Sequence, residues 1–449
     1  MIVDNRSRRR EELQKVRYSA EQWELLRNSI SHRSVGELCK KHPDLLIFPH
    51  CLGDKREQFS KSTICSIIGD TITTSNLMGF IGVQDDATRA ELSIRSRFHC
   101  DNNQDYFLHY MLQRVFHFNI LNMPHSGGDN EALDFLLYLF PHHLKQAMRQ
   151  GVFKQYRKRE YNDANIRGAI DVARHLRYNT PFNGKIAYRT TEYCLDNPVT
   201  QLIRHTIEYI RTSPMAGNIL RSDKDMQDAV RTIYDITPTY NANDRQRIIN
   251  QNLRPAKHPF YTQYTMLQRL CLAILRHKKM SYSSSDNRVY GILFDGAWLW
   301  EEYLATILCE RGFTHAAKGE GNGIKFFEDG SGAHQRFPDF YSLENGGIVL
   351  DAKYKNIDGG MGQREDQFQL IAYMHTLDSQ RDNGIKGAKL GALIYPSAIK
   401  EMGNSWRLNG CGGTYAVIPV HIPSDSCWDD FRDRMDEHRD INLDSYIKE

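Results

Sequence analysis

Two short segments of the chain carry charged residues at spacings that suit hydrolytic chemistry. Pro338-Asp339 ends one short apolar run, and Asp351-Ala352-Lys353 ends a second one further along. Side chains alternate between the faces of a strand, so Asp351 and Lys353 point the same way while their neighbours point toward a core. Two carboxylates that share a cation, with an ammonium beside them, suit metal-assisted cleavage of a phosphodiester bond.

The secondary structure predicted around these residues places them on neighbouring strands. The pattern alone also fits a plain hairpin with a surface aspartate and lysine, so the surrounding elements must decide. After a polar, Ser-rich linker at residues 277–287, the predicted order is helix, three strands, helix and strand, at residues 297–310, 323–327, 336–343, 347–354, 363–377 and 390–395. This αβββαβ order resembles the PD-(D/E)xK nuclease core over residues 290–400.

Two helices of this predicted core carry further polar side chains. Glu301 falls on the apolar stripe of the first helix, where a carboxylate needs a partner. That partner is either a metal ion or a salt bridge, unless the side chain reaches out to solvent. Gln369 and Tyr373 share one face of the second helix. Their spacing resembles the Q-x-x-x-Y signature of RecB-like nucleases, although any helix can carry such a pair for packing.

The nuclease resemblance implies a role for each of these residues. The expected ligands of one or two Mg²⁺ ions are three carboxylates and one backbone carbonyl, those of Asp339, Asp351, Glu301 and Ala352. Lys353 is expected to orient or deprotonate the attacking water and to stabilise developing negative charge. Gln369 and Tyr373 are expected to position the substrate strand.

Length and composition limit the possible fold classes and the cellular compartment. The chain has 449 residues, 40% hydrophobic and 25% charged, as in a globular protein of two or three domains. The net charge of +3 neither requires nor excludes nucleic acid, so a DNA-binding surface must be local. Nine cysteines without a C-x-x-C motif argue against a zinc ribbon or disulfide framework and favour the cytoplasm. The longest apolar run, residues 135–140, is too short for a membrane span.

The sequence predicts a multidomain α/β protein. Residues 1–160 are expected to form a β-rich N-terminal module with helices, and residues 161–285 a mixed α/β, mostly helical middle region. Residues 286–449 are expected to form the C-terminal nuclease domain. One helix is predicted over residues 20–38. Pro141 is predicted to end or kink the apolar helix that begins at Glu131, and then to open a further helix that runs to about Gln150.

The densest basic cluster of the chain follows Gly151, a predicted helix C-cap. It comprises Lys154, Arg157, Lys158 and Arg159, with aromatic residues interleaved. Such a cluster contacts DNA phosphates, since lysine and arginine supply salt-dependent affinity without reading sequence, or it forms the solvated end of a helix. Both interpretations remain open on the sequence alone.

Motifs along the chain resemble those of the McrC/LlaJI family, the nuclease subunits of McrBC-type and related restriction systems. Over residues 70–400 they are, in order, Gly79-Phe80-Ile81-Gly82-Val83, Leu92-Ser93-Ile94, Ile166-Arg167-Gly168-Ala169-Ile170-Asp171, Asp196-Asn197-Pro198-Val199-Thr200, Leu299-Trp300-Glu301, Pro338-Asp339 and Asp351-Ala352-Lys353-Tyr354-Lys355. Thr200 departs from the family, which usually has asparagine there.

The family resemblance implies a reaction and a partner. It implies an Mg²⁺-dependent endonuclease that cleaves DNA when an McrB-like AAA+ GTPase or ATPase activates it. The chain contains no G-x-x-x-x-G-K-[ST] motif, as expected if the partner supplies the motor. By resemblance, residues 1–280 dock on the motor ring and stimulate nucleotide hydrolysis. Two alternatives are a non-cleaving regulatory subunit that stimulates the motor and a stand-alone RecB-like repair exonuclease.

Overall fold

The chain is divided into two compact units. The computed structural model describes residues 2–13, 18–52, 57–85, 88–99, 105–116, 131–212, 219–256, 258–277, 288–316, 323–326, 335–344, 347–357, 360–377, 387–409, 412–424, 427–437 and 445. Unit 1 combines Met1–Pro124 with Ser285–Glu449, and unit 2 is His125–Ser284. The division into three domains at residues 160 and 285 stays a prediction. Within the described ranges, no helix is both long and apolar enough to span a bilayer.

The N-terminal segment of unit 1 alternates strands and helices. Its elements are β1 (Ile2–Val3), β2 (Ser7–Arg9), α1 (Ala20–Ile30), α2 (Val35–Lys41), β3 (Leu45–Phe48), α3 (Glu57–Lys61), β4 (Cys65–Ile68), β5 (Thr71–Thr74), β6 (Leu77–Gln84), β7 (Arg89–Arg95) and α4 (Tyr106–Phe116). The single helix predicted over residues 20–38 is wrong, because two helices replace it. His32 takes a left-handed backbone conformation with φ of 56°, and Ser34 then caps α2 by accepting the Glu37 amide at 3.3 Å.

Unit 2 contains a small sheet and several helices. Its elements are α5 (Glu131–Arg149), β8 (Gln155–Asp163), β9 (Ala169–Ile170), α6 (Val172–Tyr178), β10 (Ile186–Cys194), α7 (Pro198–Arg211), α8 (Lys224–Ile236), α9 (Arg245–Gln251) and α10 (Gln263–His277). The strands pair antiparallel in the order β8-β10-β9. The new helix predicted to open at Pro141 is wrong, since α5 is a single helix with Pro141 inside it. Burial of Phe140 and Leu144 offsets the hydrogen bond that a proline removes.

The C-terminal segment returns to unit 1. Its elements are β11 (Arg288–Asp295), α11 (Gly296–Leu308), β12 (Thr314–His315), β13 (Ile324–Lys325), β14 (Gln335–Arg336), β15 (Phe340–Ser342), β16 (Ile348–Ala352), α12 (Arg364–Thr376), β17 (Leu390–Ser397), β18 (Asn404–Arg407), β19 (Thr414–His421) and α13 (Trp428–Glu437). The predicted mixed α/β character is confirmed. The strand predicted over residues 336–343 is divided into β14 and β15, and Asp339 lies directly before β15.

Strand β11 joins both ends of the chain in one sheet. The sheet order is β1-β7-β6-β11-β3, with β11 antiparallel to β6 and parallel to β3. Val289 and Leu293 of β11 enter the same core as Trp23 and Ile47. The sequence did not predict β11, because its pairing partners lie near the opposite end of the chain. Unit 1 is therefore one fold built from two distant segments.

A second sheet of unit 1 positions the predicted site. Its order is β12-β15-β16-β17-β19-β18, in which β16, β17 and β19 run parallel and β15 runs antiparallel to β16. Helix α12 packs on this sheet and buries Leu370 and Met374 in one cluster with Val349 and Leu393. Strand β16 is thus a central strand, as its continuous apolar run predicts.

Candidate active site

The pairing of β15 with β16 brings the two predicted aspartates to the same end of the sheet. Phe340 lies opposite Leu350, so Asp339, directly before β15, lies beside Asp351 near the end of β16. The backbone amide of Ala352 donates to Oδ2 of Asp339 at 2.7 Å. This hydrogen bond fixes the Asp339 carboxylate against the strand that carries Asp351.

Both carboxylates lie where water solvates them poorly. Asp351 is only 2% exposed, and Asp339 is half-buried. Burial raises the pKa of Asp339 well above its usual value, and the charges of Asp351 and Glu301 raise it further. Burial also raises the pKa of Asp351, although the Lys353 ammonium opposes that rise. A cation between the two carboxylates would stabilise their charged forms.

The ammonium of Lys353 is the counter-charge of this pair. Lys353 follows the end of β16, and its Nζ forms an ion pair with Oδ2 of Asp351. Burial lowers the pKa of Lys353, but the negative charges of Asp351 and Asp339 outweigh burial and raise the pKa above its usual value. Lys353 is therefore protonated at neutral pH in this state.

A further buried carboxylate, that of Asp366, contacts the same lysine. It lies in the first turn of α12, with Oδ1 3.7 Å from Nζ of Lys353 and Oδ2 2.5 Å from Nζ of Lys355. Sequence reasoning assigned no role to Asp366 or Lys355. Asp366, Gln369 and Tyr373 nevertheless follow helical spacing on one face of α12, so the signal was present in the sequence.

Gln369 and Tyr373 form a hydrogen-bonded pair on that face of α12. Nε2 of Gln369 donates to Oη of Tyr373 at 3.1 Å, and Oε1 of Gln369 lies 3.5 Å from Nζ of Lys353. Burial raises the pKa of the Tyr373 hydroxyl. The structure therefore brings this predicted pair next to Lys353, and its contact with a substrate strand stays a prediction.

Glu301 pairs with a histidine. Its Oε1 lies 2.8 Å from Nε2 of His315 on β12, and both side chains are half-buried. The His315 ring stacks on Phe340, with ring centroids 5.0 Å apart. The carboxylate on the apolar stripe thus finds the partner it needs in a histidine, and its role as a metal ligand stays a prediction.

Tyr354 anchors the end of β16 to the N-terminal segment of unit 1. Its hydroxyl shares a hydrogen bond of 2.7 Å with Oγ of Ser96. The Phe98 ring packs edge-on at 5.3 Å, and the Arg97 guanidinium lies over the Tyr354 ring at 4.9 Å. The position of Lys353, the preceding residue, therefore depends on residues from the other end of the chain.

The side chains of the site provide some of the oxygen ligands that a metal ion needs. In the part of the chain that the structure describes, no three His, Cys, Asp or Glu side chains group closely enough to hold a metal ion. Among the described residues, the Lys353 ammonium pairs with the buried Oδ2 of Asp351. With Asp339 beside it, Asp351 provides the hard oxygen ligands that Mg²⁺ prefers. The pair fits a cation, which Glu301 would join only after leaving His315.

The predicted basic cluster lies in unit 2, on a strand. Lys154 precedes β8, and the other members of the cluster pair in register with β10, namely Arg157, Lys158 and Arg159. Lys154 and Lys158 are exposed, whereas Nε of Arg159 lies 4.0 Å from the Glu192 carboxylate. The helix-end interpretation is wrong, because strand pairing runs through the cluster. DNA contact stays a prediction.

The fold and the site define a multidomain α/β protein with a cluster of acidic residues around a lysine at the end of a central strand. This acid–lysine cluster comprises Asp339, Asp351, Asp366 and Lys353. A family model described as "McrBC 5-methylcytosine restriction system component" matches residues 72–396. That match spans well over half of the chain, so the chain belongs to this family, as a McrC-like restriction subunit. The resemblance noted in the sequence is thereby confirmed. No curated protein matches the chain.

Two solved structures from Thermococcus gammatolerans resemble the chain. One is a chain of the refined half-complex from the tetradecameric assembly of McrB AAA+ hexamers with bound McrC. The alignment covers 97% of this chain and 99% of that one, at 12% identity and a TM-score of 0.51. The other, from the McrBC complex, covers 69% and 86%, at 14% identity and a TM-score of 0.32. The likeness to the first structure shows a shared fold.

Proposed function

We propose that this chain is the Mg²⁺-dependent DNA endonuclease subunit of a McrBC-type restriction complex. The observation that carries the proposal is the convergence of Asp339, Asp351 and Lys353 at one end of a central sheet, with the Ala352 amide fixing Asp339. Membership of a restriction-system family supports a reaction on DNA as the use of that site.

Each residue of the site has a distinct part in this proposal. Asp339 and Asp351 would hold the metal ion, and the Ala352 carbonyl would supply a further oxygen ligand. When bound there, Mg²⁺ lowers the pKa of a water molecule and neutralises charge on the scissile phosphate. Lys353, protonated beside the carboxylates, donates a hydrogen bond toward the phosphate and stabilises the charge that develops during cleavage. Gln369 restrains Lys353 and the substrate strand.

Cleavage by the complex with its motor tests this proposal. The full chain, the McrB-like AAA+ protein of the same restriction system, nucleotide and Mg²⁺ are incubated with methylated and unmethylated plasmid DNA. Lys353→Met should lower the cleavage rate by at least about 1,000-fold, because it removes the charge that stabilises the transition state. The control is Lys400→Met, which removes an exposed lysine of the same unit.

The outcomes of this experiment separate two functions. Cutting by Lys353→Met at the wild-type rate would contradict the proposal. A wild-type chain that stimulates nucleotide hydrolysis but never cuts would support the regulatory-subunit alternative. The Glu301–His315 pair favours that alternative, since it removes one predicted ligand from the metal site.

The proposed complex includes an AAA+ motor, as the Thermococcus gammatolerans assembly does with its McrB hexamers. Unit 2 offers a surface for this partner, because large apolar side chains are exposed along its small sheet, α6 and the adjoining loops. They are Tyr156, Ile166, Ile170, Val172, Leu176, Tyr178, Phe182 and Tyr193. Such a concentration of exposed apolar residues marks an interaction site, and we assign it to the motor.

Substitutions on α6 test the motor-binding surface. Val172 and Leu176 share one face of α6, so Val172→Ser with Leu176→Ser should weaken binding to the AAA+ protein about tenfold by loss of buried apolar area. Ile68→Ser in unit 1 is the control, because Ile68 is equally apolar and 72% exposed. Equal motor binding by the α6 variant and the wild type would exclude this surface.

A further inference from the structure

The lysine of the candidate site lies between two carboxylates. Nζ of Lys353 rests against Oδ2 of Asp351 and lies 3.7 Å from Oδ1 of Asp366. Oδ2 of Asp351 is also the buried oxygen that a metal ion would use. An ammonium and a divalent cation repel each other strongly at short range in a poorly solvated site. Lys353 must therefore leave this oxygen when a metal ion binds.

Asp366 is suited to receive the displaced ammonium. Its side chain is buried, with 7% of the residue exposed, and its Oδ1 faces Lys353. Its other oxygen contacts Nζ of Lys355 at 2.5 Å, and Lys355 also donates to Oε1 of Gln363 at 3.0 Å. Lys355 thus fixes one oxygen of Asp366 and leaves the other directed at Lys353. A small rotation of the flexible Lys353 side chain is enough to close the remaining distance.

We propose that Asp366 is a positioning residue that takes the Lys353 ammonium from Asp351 when Asp351 binds a divalent cation. The Lys353 side chain then has two positions. In the metal-free site it neutralises Asp351, and in the metal-loaded site it is held beside the cation as a hydrogen-bond donor. The inference rests on the proposed metal site and adds a residue that controls how readily that site loads.

Metal affinity, measured without DNA or turnover, tests the inference. The probe is Mn²⁺, titrated into the metal-stripped full chain in a calorimeter. Asp366→Asn should weaken Mn²⁺ binding about tenfold, because Lys353 then has no charged acceptor other than Asp351 and competes with the metal. Asp366→Glu should restore most of the affinity. Glu365→Gln is the matched control, since it removes an exposed carboxylate from the same helical turn.

A double-substitution cycle separates this role from simple electrostatics. In a Lys353→Met background there is no ammonium to relocate, so adding Asp366→Asn should change Mn²⁺ affinity by less than about threefold. If Asp366 acts only through its overall charge or by stabilising α12, the full tenfold loss will persist in that background. That result would overturn the inference. Urea unfolding of each variant confirms that the fold is retained.

The experiment also distinguishes failure of the inference from failure of the metal site. If neither the wild type nor Asp351→Asn binds Mn²⁺, the proposed metal site is wrong, and so is the inference that depends on it. If the wild type binds Mn²⁺, Asp351→Asn does not, and Asp366→Asn binds as tightly as the wild type, only the relocation of Lys353 is wrong.

Discussion

The acid–lysine cluster of unit 1 and the basic cluster of unit 2 concentrate charge in opposite ways. In unit 1, Asp339, Asp351 and Asp366 come from different elements and are brought together in a poorly solvated site around Lys353. In unit 2, the basic residues are adjacent in sequence and spread along an exposed strand. In the first arrangement, the charges of Asp339 and Asp351 lie in a buried site and influence the pKa values of their neighbours.

This contrast shows which sequence signal carries chemistry. Charge density along the chain identified the β8 cluster, where some of the charge is already paired across the strand, as with Arg159 and Glu192. Spacing between two apolar runs identified Asp339 and Asp351, whose proximity depends on strand pairing. Functional sites typically contain buried groups whose pKa values are shifted by burial and by neighbouring charges. We therefore expect substitutions at Asp339 and Asp351 to have larger effects than substitutions in the β8 cluster.

The largest effect should follow from Asp339→Ala. We expect DNA cleavage to fall by at least about 1,000-fold, because one of the two carboxylates proposed to hold the metal is lost. The free energy of unfolding should stay equal or rise, since the variant removes a buried charge that its neighbours repel. Cleavage rates and urea unfolding measure the two quantities. A large loss of stability would instead make Asp339 a structural residue.

A smaller effect is expected on α12. Gln369→Ala should lower the cleavage rate about 10- to 100-fold, because Lys353 loses a positioning contact and so, in the proposed function, does the substrate strand. Tyr373→Phe retains the ring packing and removes only the hydroxyl that accepts from Gln369, so its loss should be smaller. Single-turnover cleavage under saturating DNA measures both. Equal losses for the two variants would mean that the hydroxyl itself contacts substrate.

The pH dependence of stability should differ between the Asp339→Asn variant and the wild type in the absence of metal. The pKa of Asp339 is raised in the folded chain above its ordinary value of 3.8. The folded state therefore binds the proton more tightly, and its stability falls as the pH rises through the interval between the unfolded and folded pKa values.

Asp339→Asn removes this loss. The stability gain of the variant over the wild type should therefore grow as the pH rises above the ordinary value of 3.8 and level off above the folded pKa. Urea unfolding in EDTA at several pH values measures the difference. A difference that is constant with pH would show that Asp339 is ionised equally in the folded and unfolded chains.

The smallest effect is expected in unit 2. Replacing Lys154 and Lys158 with glutamine should weaken DNA binding only a few-fold and reduce the slope of log affinity against log salt by about 2, one phosphate contact per lysine. Lys40→Gln with Lys41→Gln removes the same charge from an exposed part of unit 1 as a control. Identical salt slopes for both variants would assign the β8 lysines to solvent.

Local periodicity was enough to predict much of the site but little of its surroundings. The apolar run of β16 and the helical spacing of Gln369 and Tyr373 fixed these elements, because both signals are local. The partner of Glu301 was not predictable, since His315 reaches it only through the pairing of β12 with β15. Strand β11 was missed for the same reason. Asp366, by contrast, lay on a predicted helix face and could have been found.

Because unit 1 combines the N-terminal and C-terminal segments of the chain, the two units can complete their folding at different times. Unit 2 is one continuous segment, His125–Ser284, so it can fold while synthesis continues. The N-terminal sheet must wait for β11, and the end of β16 must find Ser96 through Tyr354. A nascent or prematurely released chain therefore has the apolar surface that is proposed to bind the motor before its acid–lysine cluster. The site that is proposed to cut DNA is assembled last.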